Sequence, residues 1–109
     1  MTHMTTREME LVRKFRSRVE ERLHVHAMIV FGSRARGDAD DDSDLDVLVV
    51  LEEPESREIR RFVSECAFEV DLDNDFVISP IVFSRERWEN GPERVGPLAL
   101  AIREEGIPV

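Results

Sequence analysis

The sequence predicts an α+β fold, in which helices pack on one side of a small mixed β-sheet. Two observations lead to this prediction. Apolar segments of helical and of strand type follow one another in the order helix, strand, strand, helix, strand, helix. The chain has 109 residues, 41% of them hydrophobic, which is enough for one modest core. We therefore expect residues 1–109 to form a single domain.

The first half of the chain predicts one helix and two strands. Residues 5–24 place apolar side chains three or four positions apart, as an amphipathic helix does. The apolar, β-branched run from Val25 to Phe31 is typical of a buried strand. Residues 33–43 are small, polar and charged, which indicates a turn or a single helical turn followed by a loop. The run VLVVL then predicts the second strand.

The second half predicts a helix, an irregular strand and a terminal helix. Apolar positions between Ile59 and Val70 follow a helical period, and Cys66 lies on the face predicted to be buried. The run FVISPIVFS predicts a third strand, but Pro80 lacks a backbone donor and favours an edge position or a bulge. Ser84 can cap a helical turn, and LALAIREE predicts the last helix.

Composition excludes several classes of protein. A formal charge of -9 argues against wrapping duplex nucleic acid, which requires clustered Lys and Arg. No apolar run approaches the ~18 residues of a membrane span, so we expect no membrane contact. The single cysteine cannot form an internal disulfide, which favours a reducing compartment. We expect a cytoplasmic protein.

The segment from Gly32 to Val50, GSRARGDADDDSDLDVLVV, is the most informative part of the sequence. A phosphate-binding P-loop would need Lys after its second glycine, but Asp38 follows Gly37, so we reject that interpretation. A calcium loop would use Asp42, Asp44 and Asp46 as its first ligands. It would also need a glycine where Val47 stands, and it would turn a strand-like run into a loop.

A third interpretation takes Asp44 and Asp46 as a pair at the start of a strand. Residues two apart point to the same face, about 7 Å from each other, so both carboxylates can converge on a divalent cation. Hard oxygen ligands suit Mg²⁺ or Mn²⁺. Upstream, Gly32 and Ser33 lie where a strand gives way to a turn, and a phosphate can approach closely there. With Arg34 and Arg36 as nearby cationic donors, the segment can form a metal–triphosphate site.

This segment resembles the signature of the DNA polymerase β-type nucleotidyltransferase superfamily, G-S-x-A-R-G followed by S-D-x-D and an apolar strand. It is most similar to the small stand-alone minimal nucleotidyltransferases. The resemblance covers about 19 residues directly. It implies a polymerase β-like nucleotidyltransferase core and transfer of a nucleotidyl group from an NTP, expected to be ATP, to an acceptor hydroxyl.

The resemblance also implies roles for individual residues. Asp44 and Asp46 would be catalytic and would hold the Mg²⁺ or Mn²⁺ ions. Gly32 and Ser33 would bind the β- and γ-phosphates, and Arg36 would anchor the loop or the triphosphate. Ser43 would fix the local turn. Family members of this size are often paired with a HEPN protein in toxin–antitoxin systems, where they add adenylyl groups to the toxin.

One position departs from the family pattern. Active members usually place a third aspartate on a later strand, beside the first two, but this strand has Ser79 and Pro80 there. Asp71, Asp73 and Asp75 are the nearby substitutes, of which Asp75 is best placed, at the start of the strand. We therefore take Asp75 as the candidate third catalytic carboxylate.

Three functions follow from the sequence. The first is a Mg²⁺-dependent nucleotidyltransferase whose acceptor is brought by a HEPN-type partner protein or by a homo-oligomer. The second is a binding module of the same fold that acts through protein contacts after losing efficient catalysis. The third, ranked below both, is a calcium-binding protein.

Overall fold

The computed structural model describes residues 4–38, 44–72 and 76–109. These residues form five α-helices, one 3₁₀ turn and four strands. In chain order they are α1 (Thr6–Glu20), β1 (Val25–Phe31), α2 (Ser33–Arg36), β2 (Leu45–Leu51), α3 (Arg57–Leu72), β3 (Ile78–Ser84), α4 (Arg85–Asn90), the 3₁₀ turn Pro92–Val95, α5 (Pro97–Glu105) and β4 (Ile107–Pro108).

The four strands form one mixed sheet in the order β3-β2-β1-β4. Strand β2 runs antiparallel to β1 and parallel to β3, and β4 pairs antiparallel with β1. This confirms the predicted α+β class with a mixed sheet. The pairing places Asp46 of β2 between Phe31 of β1 and Ser79 of β3. The end of the sheet where β1 ends and β2 begins is therefore where the sequence motif comes together.

Helices α1 and α3 cover one face of the sheet. The apolar stripe of α1, which includes Val12, Phe15 and Val19, is fully buried against the strands. Helix α3 contributes Cys66, buried in the same cluster as predicted. Both predicted amphipathic helices thus bury the face that their periodicity indicated.

The opposite face is covered as well, which corrects the expectation that helices pack on one side only. Leu48 of β2 and Phe83 of β3 form a second buried cluster with Ile102 of α5, and Trp88 of α4 packs against it. The physical reason lies in the run VLVVL. A central strand that is apolar at consecutive positions has two apolar faces, and each must be covered.

Strand β3 forms one edge of the sheet, as Pro80 indicated. The carbonyl of Val77 accepts from the N–H of Leu45, so the odd-numbered residues of this edge direct their N–H and C=O groups toward β2. The even-numbered residues therefore direct their N–H and C=O groups away from β2. The N–H of Ile78 donates to the Asp71 carboxylate at 3.0 Å, and that of Ser84 donates to the Glu55 carboxylate at 3.2 Å. Most outward donors of this edge are therefore either satisfied or, at Pro80, absent, which discourages pairing with another strand.

Within residues 4–38, 44–72 and 76–109, no helix combines the length and the apolar character that crossing a membrane requires.

Candidate functional site

Gly32, between β1 and α2, lies against the carboxylate of Asp46. The Gly32 backbone has φ of 79°, in the left-handed region that favours glycine. A Cβ atom at this position would lie 2.4 Å from Oδ2 of Asp46. The position therefore requires glycine for two reasons, its conformation and the close approach of a charged side chain.

The segment GSRARG folds into one compact helical turn, as the sequence predicted. The N–H of Arg36 donates to the carbonyl of Gly32 at 3.0 Å, and those of Gly37 and Asp38 both donate to the carbonyl of Ser33. Gly37 ends the turn with φ of 84°, a left-handed C-cap. The turn holds Ser33, which is half-buried, directly beside Gly32 and its neighbour Asp46.

A buried ion pair fixes this turn to the first helix. The Arg34 guanidinium donates to the Glu8 carboxylate at 2.9 Å, and both side chains are less than one-tenth exposed. Arg34 also lies 4.5 Å from the centre of the Phe76 ring. Glu8 accepts from the N–H of Thr5 and completes a capping box at the start of α1. Arg34 is therefore a structural support of the turn, and its side chain does not reach outward as a free phosphate donor.

The two carboxylates of the motif influence each other. Asp44 is exposed, and Asp46, the second residue of β2, is half-buried. Burial raises the pKa of Asp46, and the negative charge of Asp44 raises it further, while Arg36 lowers it. Two anions held close enough to repel each other form a site that a cation would stabilise.

Arg36 lies on the exposed side of the same turn. Its guanidinium contacts Asp38 at 3.2 Å and Glu105, at the end of α5, at 3.1 Å. These two partners raise the pKa of Arg36, so the side chain remains a cation. Its charge reaches Asp46, which places it beside the candidate site.

The position beside Asp46 on the neighbouring strand is Ser79, so β3 supplies no carboxylate there. Asp71 is the nearby acidic residue that the structure describes on this side. Its pKa is raised by burial and by the charge of Asp44, and it holds the N–H of Ile78. Asp75, the predicted third carboxylate, and Ser43, the predicted turn residue, both lie outside the described residues.

The donor set fits a hard divalent cation shared with substrate. Asp44 and Asp46 provide carboxylate oxygens, the ligands that Mg²⁺ and Mn²⁺ prefer, and the missing Cβ of Gly32 leaves room at Oδ2 of Asp46. Among the residues that the structure describes, no three His, Cys, Asp or Glu side chains come together as a potential metal site. Any ion held here would complete its coordination with substrate oxygens and water, as Mg²⁺ commonly does.

Sequence reasoning missed the support that Glu8 gives to the site. Glu8 and Arg34 are 26 residues apart, and nothing in the local pattern of either residue indicates the pair. The only signal was the capping box Thr5 to Glu8, which predicts a helix start and not a tertiary contact.

The mixed sheet, the glycine-led turn and the paired aspartates together define a protein of nucleotidyltransferase type. Residues 12–94 match the nucleotidyltransferase domain family. The chain belongs to this family, which confirms the resemblance seen in the sequence.

Comparison with individual proteins agrees with this assignment. A candidate protein adenylyltransferase of Methanocaldococcus jannaschii, MJ0141, is 32% identical over 78 residues, covering 70% of this chain and 79% of the relative. A candidate nucleotidyltransferase from Sulfolobus solfataricus has a similar structure, with a TM-score of 0.59, 22% identity and coverage of 94% of this chain and 78% of that one. A toxin–antitoxin structure with AMP-PNP aligns with a TM-score of 0.60, 16% identity and coverage of 93% and 70%. The two structures establish similarity of fold.

Proposed function

We propose that this protein is a Mg²⁺-dependent nucleotidyltransferase that moves AMP from ATP to a hydroxyl group of a partner protein. The observation that supports it most is the contact of Gly32 with Asp46, which joins both halves of the motif in one place. The kinship with MJ0141 supports a protein as acceptor. The toxin–antitoxin structure with AMP-PNP supports ATP as donor and a toxin–antitoxin setting.

The turn after β1 is proposed to bind the triphosphate. The N–H groups and the hydroxyl of Gly32 and Ser33 would donate to the β- and γ-phosphates, which can approach because Gly32 has no side chain. Arg36 would exchange its exposed partner, Asp38, for a phosphate oxygen. The bond to a carboxylate that is lost and the bond to phosphate that is gained are both charge-assisted, so Arg36 keeps an interaction of similar strength.

Asp44 and Asp46 are proposed to hold Mg²⁺ or Mn²⁺. When bound, the ion supplies charge neutralisation for the phosphates and lowers the pKa of a coordinated hydroxyl. Burial and the negative charge of Asp44 both raise the pKa of Asp46, and a bound cation would stabilise the ionised form of both carboxylates. Asp75 remains our candidate for a third carboxylate.

The reaction balances as an exchange of one phosphorus–oxygen bond for another. The acceptor oxygen forms a bond to the α-phosphorus of ATP, and the bond from that phosphorus to the bridging oxygen of the β-phosphate breaks. Pyrophosphate leaves, and the hydroxyl proton passes to a carboxylate or to water. We propose that the acceptor belongs to a HEPN-type partner and that this chain is the antitoxin half of the pair.

The test is transfer of label from ATP to a co-purified HEPN-type partner. With ATP labelled at the α-phosphate, we expect a labelled partner in the presence of Mg²⁺ and none after chelation. With ATP labelled at the γ-phosphate we expect no label, because that group leaves in pyrophosphate. Asp44→Asn and Asp46→Asn should each abolish labelling while the two proteins still co-purify. Equal labelling from the γ-phosphate would show phosphoryl transfer and would reject the proposal.

A second function is favoured by one observation, the presence of Ser79 where a third carboxylate is expected beside Asp46. In this alternative the chain keeps the fold and acts by binding its partner. Neutralisation of a HEPN-type toxin would then survive in Asp44→Asn/Asp46→Asn. Loss of neutralisation in that variant, with partner binding intact, would exclude the alternative.

A further inference from the structure

We propose that the hydroxyl of Ser79, on β3, is a third and neutral ligand of the cation that Asp44 and Asp46 hold. The inference deepens the proposed function and rests on it, because it concerns the metal ion of the same site. Under this assignment β3 contributes to the metal site, although it supplies no carboxylate beside Asp46.

Ser79 and Asp46 project from the same face of the sheet. They are register partners on the parallel strands β3 and β2. Side chains alternate between the two faces along a strand, so Asp46 shares its face with Leu48, and Ser79 shares its face with Ile81. Leu48 and Ile81 both pack in the apolar cluster under α5. Neighbouring strands lie about 4.8 Å apart, so the carboxylate and the hydroxyl project side by side.

Ser79 is the polar one of the two residues that flank Asp46 in the described sheet. The other register partner of Asp46 is Phe31 on β1, which is apolar and buried. Asp46 and Ser79 are both half-buried, so water and substrate can reach them. Nothing in the described part of the chain hydrogen-bonds to the Ser79 hydroxyl. Its oxygen therefore has lone pairs available for a cation.

The proline that follows Ser79 restricts the backbone that carries the hydroxyl. A residue before proline is confined to extended conformations, because the α region brings it into a clash with the proline ring. Ser79 lies inside β3, where this extended conformation is the one that the sheet requires. The direction of the Ser79 side chain is therefore set before any ion binds, which lowers the conformational entropy lost on binding.

Asp71 is the acidic residue described near the start of β3, and it is less well placed than Ser79. It belongs to α3, which buries Cys66 and Val70 in the cluster on the other face of the sheet. One oxygen of Asp71 accepts from the N–H of Ile78 at 3.0 Å, and Ile78 is buried in that same cluster. The side of the sheet from which Asp46 projects therefore selects Ser79.

A neutral hydroxyl suits the chemistry of this position. The hydroxyl of Ser or Thr is a ligand of Mg²⁺ in P-loop NTPases, so a serine can serve this ion. It adds an oxygen without adding a third negative charge beside Asp46, on which the charge of Asp44 already acts. Ion affinity rises with the number of charged ligands. We therefore expect this site to bind the ion alone weakly and to bind it best together with phosphate oxygens.

The test is binding of Mn²⁺ to the full chain without nucleotide, measured by EPR from the signal of the unbound ion. Binding that disappears in Asp46→Asn defines the specific site. At that site we expect Ser79→Asp to bind Mn²⁺ about tenfold more tightly, because affinity rises with ligand charge. Ser79→Ala should bind about threefold more weakly, since water can take the place of a neutral oxygen. Ser79→Thr keeps the hydroxyl and should bind as the wild type does.

Ser17→Asp is the matched control for the added charge. Ser17 is exposed on α1 and lies nine residues beyond Glu8, which corresponds to about 14 Å of helix. This variant should bind Mn²⁺ with the affinity of the wild type. Thermal shift supplies a second measurement on the same samples. In chelator Ser79→Asp should have a lower Tm than the wild type, because its three carboxylates repel one another, and Mn²⁺ should raise its Tm by more.

Two results would overturn the assignment of Ser79. One is Ser79→Ala binding Mn²⁺ as tightly as the wild type, and the other is Ser79→Asp binding it no more tightly than Ser17→Asp. In either case, Mn²⁺ binding that is still lost in Asp46→Asn would leave the metal site and the proposed function standing. Binding that is unchanged in Asp46→Asn would instead reject the metal site itself, and the proposed function with it.

Discussion

Replacing Arg34 with methionine tests the buried ion pair that holds the phosphate-binding turn against α1. Methionine keeps most of the side-chain length and can still pack on the Phe76 ring, but it removes the charge. The Glu8 carboxylate, whose side chain is 5% exposed, then stays buried without its cation. Removing one partner of a buried ion pair typically costs about 3–5 kcal/mol.

The protonation of Glu8 limits this cost. A stranded carboxylate can take up a proton, which at pH 7 costs about 3.7 kcal/mol for an ordinary glutamate pKa of about 4.3. We therefore expect Arg34→Met to lose about 3–4 kcal/mol of unfolding free energy at pH 7. At pH 5 the same protonation costs only about 1 kcal/mol, so the loss should shrink on acidification.

The two proteins should respond to pH in opposite directions. In the wild type, burial opposes ionisation of Glu8, but hydrogen bonds from Thr5 and Arg34 outweigh it and lower the pKa of Glu8. The stability from this pair is therefore present at neutral pH and is lost as the pH falls through the lowered pKa. In Arg34→Met we expect the Glu8 pKa to rise above its unfolded value, so that stability increases as the pH falls.

Urea denaturation at pH 7 and pH 5 measures both effects. The double variant Glu8→Gln/Arg34→Met is the control, because it removes the stranded charge and should recover at least half of the loss at pH 7. A loss below 1 kcal/mol at pH 7, or an equal loss at both pH values, would refute the reasoning.

Three further predictions concern the site and the core. Gly32→Ala should lower the unfolding free energy, measured in urea, by about 2–4 kcal/mol, because residue 32 has a positive φ and the new Cβ would clash with Asp46. Gly96→Ala is the matched control and should cost less, because residue 96 has a negative φ and its new Cβ would lie 3.3 Å from the nearest atom. Asp46→Asn should raise Tm in chelator, measured by thermal shift at pH 7, because burial and the charge of Asp44 raise the pKa of Asp46, so that its ionised form costs stability above that pKa; a lower Tm would contradict this. Burial raises the pKa of the Cys66 thiol to about 11, so a thiol reagent at pH 8 should react only after denaturant is added, and rapid reaction of the folded protein would count against the buried position.

Local patterns in the sequence were sufficient to predict most of the secondary structure. The helical period of α1 and α3 and the apolar runs of the three longer strands each reflect a single element burying its own face. Pro80 identified β3 as an edge strand, because the missing donor is a property of that residue alone. The two-residue strand β4 has no such local signal, since its pairing with Ile29 and Val30 depends on where the chain returns.

The residues of the candidate site could be predicted from the contiguous motif, but the contacts between them could not, because those contacts depend on the fold. Gly32 and Asp46 were both singled out, but their contact depends on the register that sets Phe31 opposite Asp46. The link from Arg34 to Glu8 was not predictable, because it joins separate elements whose packing no local pattern reveals. The run VLVVL shows that both faces of β2 need cover, but which helix covers the second face depends on where α5 packs, and the local pattern does not reveal that.

Calorimetric titration of ATP, with and without Mg²⁺, tests the central claim most directly. We predict binding by the wild-type protein that requires Mg²⁺ and is lost in Asp44→Ala/Asp46→Ala. Binding that persists in the double aspartate variant, or no binding by either protein, would contradict the assignment of Asp44 and Asp46 as the centre of a nucleotidyltransferase site.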